Sequence, residues 1–295
     1  GFMEKVTDKK TFRADIFLLI VALIWGSGFV ATKNGLNYIT PLYMLAFRFG
    51  ISTILMFLIF FKRVKKATVK DFIAGFIIGV FLYLGFAVQT FALQYTTASK
   101  QAFITGTNVV MVPFLYWAVS KEKPDTFDII AALLCFTGIG ILSFEKGFKM
   151  GLGDGLTLLC ALFYAAHIVA IGHFAPKHDP IILAVFQILW TFILSLISAL
   201  IFEPVPGPIT KEMAFPIVYL AVFGTTFAFL IQNVAQKYTS STKTAIILSM
   251  ESVFGSLLSF IILKEPFTFK FLIGCVAILL SIITTETKWS FIRKS

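Results

Sequence analysis

Apolar residues run through this 295-residue chain in ten long stretches, separated by short polar connections. The stretches cover approximately 16–36, 41–61, 71–94, 99–119, 126–144, 154–173, 181–202, 214–236, 242–263 and 267–286. Each is near the roughly 20 residues that an α-helix needs to cross a hydrocarbon core about 30 Å thick. A membrane β-barrel would instead alternate apolar and polar positions over segments of about ten residues. The pattern predicts an all-α polytopic membrane protein with ten transmembrane helices. Its connections leave no room for a soluble domain.

Composition sharpens that expectation. Hydrophobic residues make up 58% of the chain and charged residues only 14%, against about 25% charged in ordinary globular chains. Too few charges are present to cover a soluble surface, which excludes soluble, disordered and disulfide-scaffold classes. The net charge of +10 does not point to nucleic acid, because the basic residues sit in short clusters between apolar runs. Seventeen of the 25 Lys and Arg residues fall on one side. They lie at the N-terminus, in the 2–3 loop (Lys62, Arg63, Lys65, Lys66, Lys70), in the 4–5, 6–7 and 8–9 loops, and at the C-terminus. The positive-inside rule then puts both termini in the cytoplasm, in agreement with an even number of spans. Cys135, Cys160 and Cys275 each lie inside an apolar run and read as small core residues. Gly1-Phe2 ahead of Met3 reads as an expression remnant, and the first span reads as a membrane helix and not a leader.

The chain also resembles itself. Ala22-Leu23-Ile24-Trp25 aligns with Ala161-Leu162-Phe163-Tyr164, and Pro41 with Pro180. Further on, 88–143 aligns without a gap on 231–286 with 13 of 56 positions identical, among them Gln89/Gln232, Tyr95/Tyr238 and Lys121-Glu122/Lys264-Glu265. The division is an N-terminus over 1–15, a five-helix repeat over 16–144, a linker over 145–153, a second repeat over 154–286, and a C-terminus over 287–295. An odd number of spans per repeat makes the second enter the membrane from the opposite side. Inverted repeats of this kind are typical of secondary transporters, whose site lies near the midplane and opens to each side in turn.

Several motifs then resemble one family. Trp25-Gly26-Ser27-Gly28-Phe29 in span 1, Leu45-Ala46-Phe47-Arg48-Phe49 in span 2, Ala92-Leu93-Gln94-Tyr95-Thr96-Thr97, and Met250-Glu251-Ser252-Val253-Phe254 followed by Leu263-Lys264-Glu265 are similar, in that order, to EamA-type transporters of the drug/metabolite transporter superfamily. Ser252 stands where the family has proline, and Lys264 where it has glycine, which suggests a straighter span 9. The resemblance implies a carrier with spans 1–4 and 6–9 around a central cavity and spans 5 and 10 at the periphery. It also implies export of amino acids and other small metabolites.

The candidate chemistry is sparse. Arg48 and Glu251 are the formally charged residues deep in spans, each costing roughly 2.5–3.5 kcal/mol at the centre of an isolated helix. Arg48 is either a folding clamp onto backbone carbonyls or a substrate ligand. Glu251 is a protonation site or a counter-charge for a cationic group. Their repeat counterparts are the amides Gln187 and Asn108, so matching positions would hold different parts of one substrate. Ser249, Ser252, Ser256 and Ser259 form one stripe, either close helix packing or a cavity wall with Ser252 as a substrate contact. Trp25 and Tyr164 either cover a substrate or pack. His167 either titrates or bonds another helix. Gln89 and Gln232 read as gates or helix bridges. Thr225, Phe229, Gln232 and Gln236 make a helical stripe on span 8, with Asn233 beside it. Gly75-xxx-Gly79 reads as a helix contact.

His173 and His178 lack further ligands at a sensible spacing, so no metal and no cofactor is expected. The reading is a secondary carrier, not an enzyme, in the plasma membrane. Its partners are a small-molecule substrate, the lipid bilayer and a candidate coupling proton, and it is a monomer or weak homodimer through spans 5 and 10. A flippase for a lipid-linked headgroup is the alternative, and an integral membrane enzyme is a more distant one.

Overall fold

A computed structural model describes residues 2–143, 150–235, 238 and 246–293, with side chains described outside 2–8, 233 and 293. Ten apolar helices carry the fold. They are α1 (Lys9–Gly35), α2 (Pro41–Ile59), α3 (Val69–Tyr95), α4 (Ala98–Ser120), α5 (Thr126–Ser143), α6 (Leu152–Lys177), α7 (Pro180–Phe202), α8 (Lys211–Gln232), α9 (Ile246–Ile262) and α10 (Phe269–Thr287). All but α9 are long and apolar enough to cross a membrane, and residues 242–245 of the expected ninth span lie outside the described residues. Most of the expected linker over 145–153 lies outside them as well. The ten-helix, all-α membrane architecture is as the hydropathy pattern indicates.

Local chemistry sets the helix starts. The side chains of Thr68, Thr97, Thr210 and Thr268 accept a backbone N–H in the first turns of α3, α4, α8 and α10, which satisfies a donor that has no partner within the helix. At α3 the cap is reciprocal, because Asp71 also accepts the Thr68 N–H. Pro41 and Pro180 begin α2 and α7, where a missing N–H costs nothing.

The helices form two compact units. Unit 1 is Gly1–Val30, Thr97–Gly151 and Phe227–Ser295, and unit 2 is Ala31–Thr96 and Leu152–Thr226. Each unit therefore takes helices from both sequence repeats.

In unit 1, α9 lies on α4. The hydroxyls of Ser252 and Ser256 donate to Ala102 O (2.8 Å) and Ser99 O (3.4 Å). Glu265, just past α9, caps the start of α4 by accepting from Ala98 N (2.9 Å) and Ser99 N (3.3 Å). Helix α1 crosses α9 at Gly26 and Gly255, so closely that a Cβ built on Gly26 falls 2.7 Å from Gly255 N. Helices α5 and α10 pack together, and Asp128 Oδ1 accepts from Thr285 (2.8 Å) and from Lys288 Nζ (3.1 Å).

In unit 2, α3 and α7 approach closely at the Gly75-xxx-Gly79 face, where a Cβ on Gly75 would meet Phe186 Cβ at 2.4 Å. Glu203 caps the start of α2, accepting from Leu42 N and Tyr43 N at 3.0–3.1 Å. Lys33 caps the end of α3, donating to Leu93 O (2.6 Å) and Thr96 O (2.9 Å). At the other end of the unit Arg63 pairs with Asp179 (2.9 Å) and His178 with Asp71 (2.5 Å). Tyr43, Met44, Ala199, Met213, Ile217 and Leu220 form a buried core between α2, α7 and α8.

Candidate functional site

Helices α4 and α9 are both interrupted, at repeat-related positions. In α4 the regular helix stops at Gly106 and resumes at Asn108, and Thr107 N bonds Ile104 O (3.2 Å) in a tightened i→i−3 step. In α9 it resumes at Glu251, and Met250 N bonds Ile247 O (3.0 Å) in the same way. The two linking residues have nearly the same torsions, φ −66° and ψ −10° at Thr107 and φ −63° and ψ −12° at Met250. Span 9 is thus not straightened by the serine at position 252. The interruption lies two residues earlier and needs no proline. In α4, Pro113 additionally deprives the Val109 carbonyl of a helical donor.

The residues that open the second half of each helix are Asn108 and Glu251. Asn108 donates through Nδ2 to Thr105 O (2.9 Å), and its Oδ1 is buried without a hydrogen-bond partner. Glu251 is partly buried, and the described residues give its carboxylate no donor. Ser252 is sealed: it is 1% exposed and bonded to α4. The serine stripe accordingly packs helices, because small side chains let α9 approach α4. Trp25 is partly buried on α1, next to the Gly26 crossing, and Gln232 is partly buried on α8.

Unit 2 gathers a second group. Arg48 is 8% exposed on α2. Its Nε donates to Thr225 Oγ1 (3.2 Å), and its guanidinium carbon lies 4.8 Å from the Phe86 ring centre and 5.3 Å from that of Phe49. Phe86 meets Tyr164 edge-on at 5.5 Å, and the Tyr164 hydroxyl donates to Gln89 Oε1 (2.8 Å). Gln89 is therefore a bridge between α3 and α6. One turn along α6, His167 Nε2 is bonded to Gln187 Oε1 (2.7 Å), a bridge to α7.

The span-8 stripe does not survive as a single face. Residues Val222–Phe227 form a π-helical segment in which Thr225 and Thr226 hydroxyls donate five residues back, to Leu220 O (3.0 Å) and Ala221 O (2.9 Å). The extra residue in that turn separates Thr225 from the register of Phe229 and Gln232. Thr225 belongs to unit 2, and Phe229 and Gln232 to unit 1. Gln236 and the Asn233 side chain lie outside the described residues. Phe49, Phe86 and Gly224 were not singled out as site residues from the sequence, since no local pattern separates two wall phenylalanines from 33 others. Consecutive threonines after a glycine were the available hint of the π segment.

Electrostatics outside the membrane-spanning segments centres on the α5–α10 contact. Lys288 Nζ lies 2.6 Å from Asp125 Oδ2 and 3.1 Å from Asp128 Oδ1. The hydrogen bond from Lys288 holds the Asp125 carboxyl below its usual range. Burial alone would lower Lys288, but its bonds to Asp125 and Asp128 outweigh that and raise it. Among the described residues no cluster of His, Cys, Asp or Glu could hold a metal ion.

The EamA-like transporter family model matches residues 12–144 and again 151–287. The chain belongs to the EamA-like transporter family. It is 39% identical to an uncharacterized transporter of Archaeoglobus fulgidus, over 95% of this chain and 87% of that one. It is 25% identical to the uncharacterized transporter YoaV of Bacillus subtilis, over 88% and 92% respectively. A solved crystal structure matches with a TM-score of 0.67 at 18% identity, covering 96% of this chain and 99% of that one. At that identity the likeness shows the fold. This EamA-family chain is a multi-pass integral membrane transporter.

Proposed function

We propose that this transporter is a secondary active carrier that moves a small polar metabolite, an amino acid or an amine, outward by alternating access. The observation that carries the reading is the pair of interruptions at Thr107 and Met250. Discontinuous helices at repeat-related positions form the substrate and ion sites of many inverted-repeat carriers. Here each interruption is followed by a polar side chain with unmet hydrogen-bonding capacity, Asn108 and Glu251. Lacking a donor among the described residues, Glu251 is suited to take a proton or to face a substrate ammonium, and Asn108 Oδ1 is a neutral acceptor for the same cargo. The basic bias of the loops supports a plasma-membrane carrier with both termini cytoplasmic. The carrier works as a monomer or as a weak homodimer through α5 and α10.

The test is uptake of labelled amino acids and amines into proteoliposomes, with and without an imposed pH gradient. Wild-type flux is expected to respond to the gradient, and Glu251→Gln to lose that response. A Glu251→Gln protein that transports normally and keeps its pH dependence overturns the role of Glu251. Chemical change of the solute, in place of flux, overturns the carrier reading.

A further inference from the structure

We propose that unit 2 holds a binding site for a single carboxylate, with the Arg48 guanidinium as its anion ligand. The site selects small organic monocarboxylates with an apolar body, amino acids included. The inference rests on the carrier reading and narrows its cargo.

A guanidinium carries five N–H donors. A folding clamp would spend them on carbonyls and helix ends, yet only the Nε–H of Arg48 has an acceptor among the described residues. That acceptor is neutral. The Thr225 hydroxyl donates its own hydrogen to Leu220 O (3.0 Å), so a lone pair faces Arg48. The π-helical turn is what brings Thr225 to that position. The four N–H bonds on Nη1 and Nη2 have no acceptor among the described residues, although Arg48 is more than nine-tenths buried. No carboxylate of the described residues is within ion-pair distance. Phe49 and Phe86 attract the cation through their rings but neutralise nothing.

Unpaired charge in a low-dielectric setting is strongly unfavourable, and a two-oxygen anion matches the parallel N–H pair of a guanidinium. Charge count chooses among anions. In unit 2, Lys33 is engaged at the end of α3 and Arg63 with Asp179. One positive charge balances a carboxylate, whereas a phosphate dianion would leave a net negative charge behind. The walls choose the body. Phe49 and Phe86 flank the guanidinium, Tyr164 backs Phe86, and Gly224 leaves Nη2 uncovered on its side, where a Cβ would touch that nitrogen at 3.6 Å.

The experiment uses the purified full chain and three probes that share a ring and differ in charge: phenylacetate, phenethylamine and phenyl phosphate. Ligand-induced thermal stabilisation gives relative affinity, and proteoliposome uptake of the same probes gives flux. Phenylacetate is expected to bind at least tenfold more tightly than either other probe. Arg48→Lys, which keeps the charge but not the paired donors, should weaken phenylacetate at least tenfold, and Arg48→Gln should abolish its binding. Equal binding of the amine or the phosphate by the wild type overturns the proposal, even if the Arg48 variants do not fold. So does a folded Arg48→Gln protein that binds phenylacetate normally, or a wild type that binds none of the probes. Flux of phenethylamine without binding of phenylacetate overturns the carboxylate site and leaves the carrier reading standing. Binding of phenylacetate that depends on Arg48, without flux of any probe, supports the site and overturns the carrier reading.

Discussion

Replacing Gly26 by alanine tests the α1–α9 crossing directly. A Cβ at that position would lie 2.7 Å from Gly255 N, 2.8 Å from Phe254 Cβ and 2.9 Å from Glu251 O. Comfortable carbon contacts lie at about 3.5–4.0 Å, so the shortfall approaches 1 Å. Two of the three atoms are backbone of α9, which cannot rotate away. Relief requires the helices to separate, and overpacking of this kind costs roughly 1–3 kcal/mol. Alanine recovers about 0.5–1 kcal/mol of helix propensity in exchange. The midpoints of the two ranges leave an expected net loss of about 1 kcal/mol. Gly172→Ala in α6 is the matched control, because nothing lies within 4 Å of its Cβ position. Only the propensity gain operates there, so stability should rise by about 0.5–1 kcal/mol. Thermal unfolding of both purified proteins in one detergent reads the two signs. Because Glu251 O is one of the clashing atoms, transport by Gly26→Ala should fall beyond what the folded fraction explains. A Gly26→Ala protein that unfolds at or above the wild-type temperature would refute the close crossing.

Two further outcomes follow from local geometry. Lys121 and Lys264, which the repeat aligns, both sit in the left-handed region with φ of 63° and 53°, a conformation costing a non-glycine residue about 1–2 kcal/mol. Lys264→Gly and Lys121→Gly should therefore each raise the unfolding temperature, and an unchanged or lower temperature in both would contradict the strain. Asp125 is held below its ordinary range by Lys288, so its pairing favours the folded state above the unfolded carboxyl value of about 3.9 and fades as pH falls through the lower folded value. Wild type should be more stable than Asp125→Asn at pH 6, and the gap should start to close as pH falls past about 4 and vanish only below the lower folded value. A gap that stays constant down through that acid range would assign the difference to something other than the charge pair.

The transmembrane architecture was legible in the sequence because it depends on summed quantities. A span of about 20 apolar residues is recognisable whatever its neighbours are, and the inverted repeat is a statement about aligned positions. That alignment even placed Thr107 opposite Met250 and Lys121 opposite Lys264, pairs whose backbone conformations agree in the structure. Arg48 and Glu251 stood out because charge inside an apolar run is costly and seldom accidental.

Partners are another matter, because they are set by how helices distant in the chain are brought together. Ser252 was a candidate substrate contact, and tertiary packing sealed it against Ala102. Gln187 and His167 were separate candidates, and the fold bonded them to each other. The π turn depends on hydroxyls reaching back five residues, and it moved Thr225 off its predicted stripe and onto Arg48. Sequence by itself determined that this chain crosses a membrane ten times in two related halves and carries two charges deep within its spans. Only tertiary structure decided which polar groups satisfy one another and which are left over, since a hydrogen bond is a matter of ångströms and direction, not of residue type.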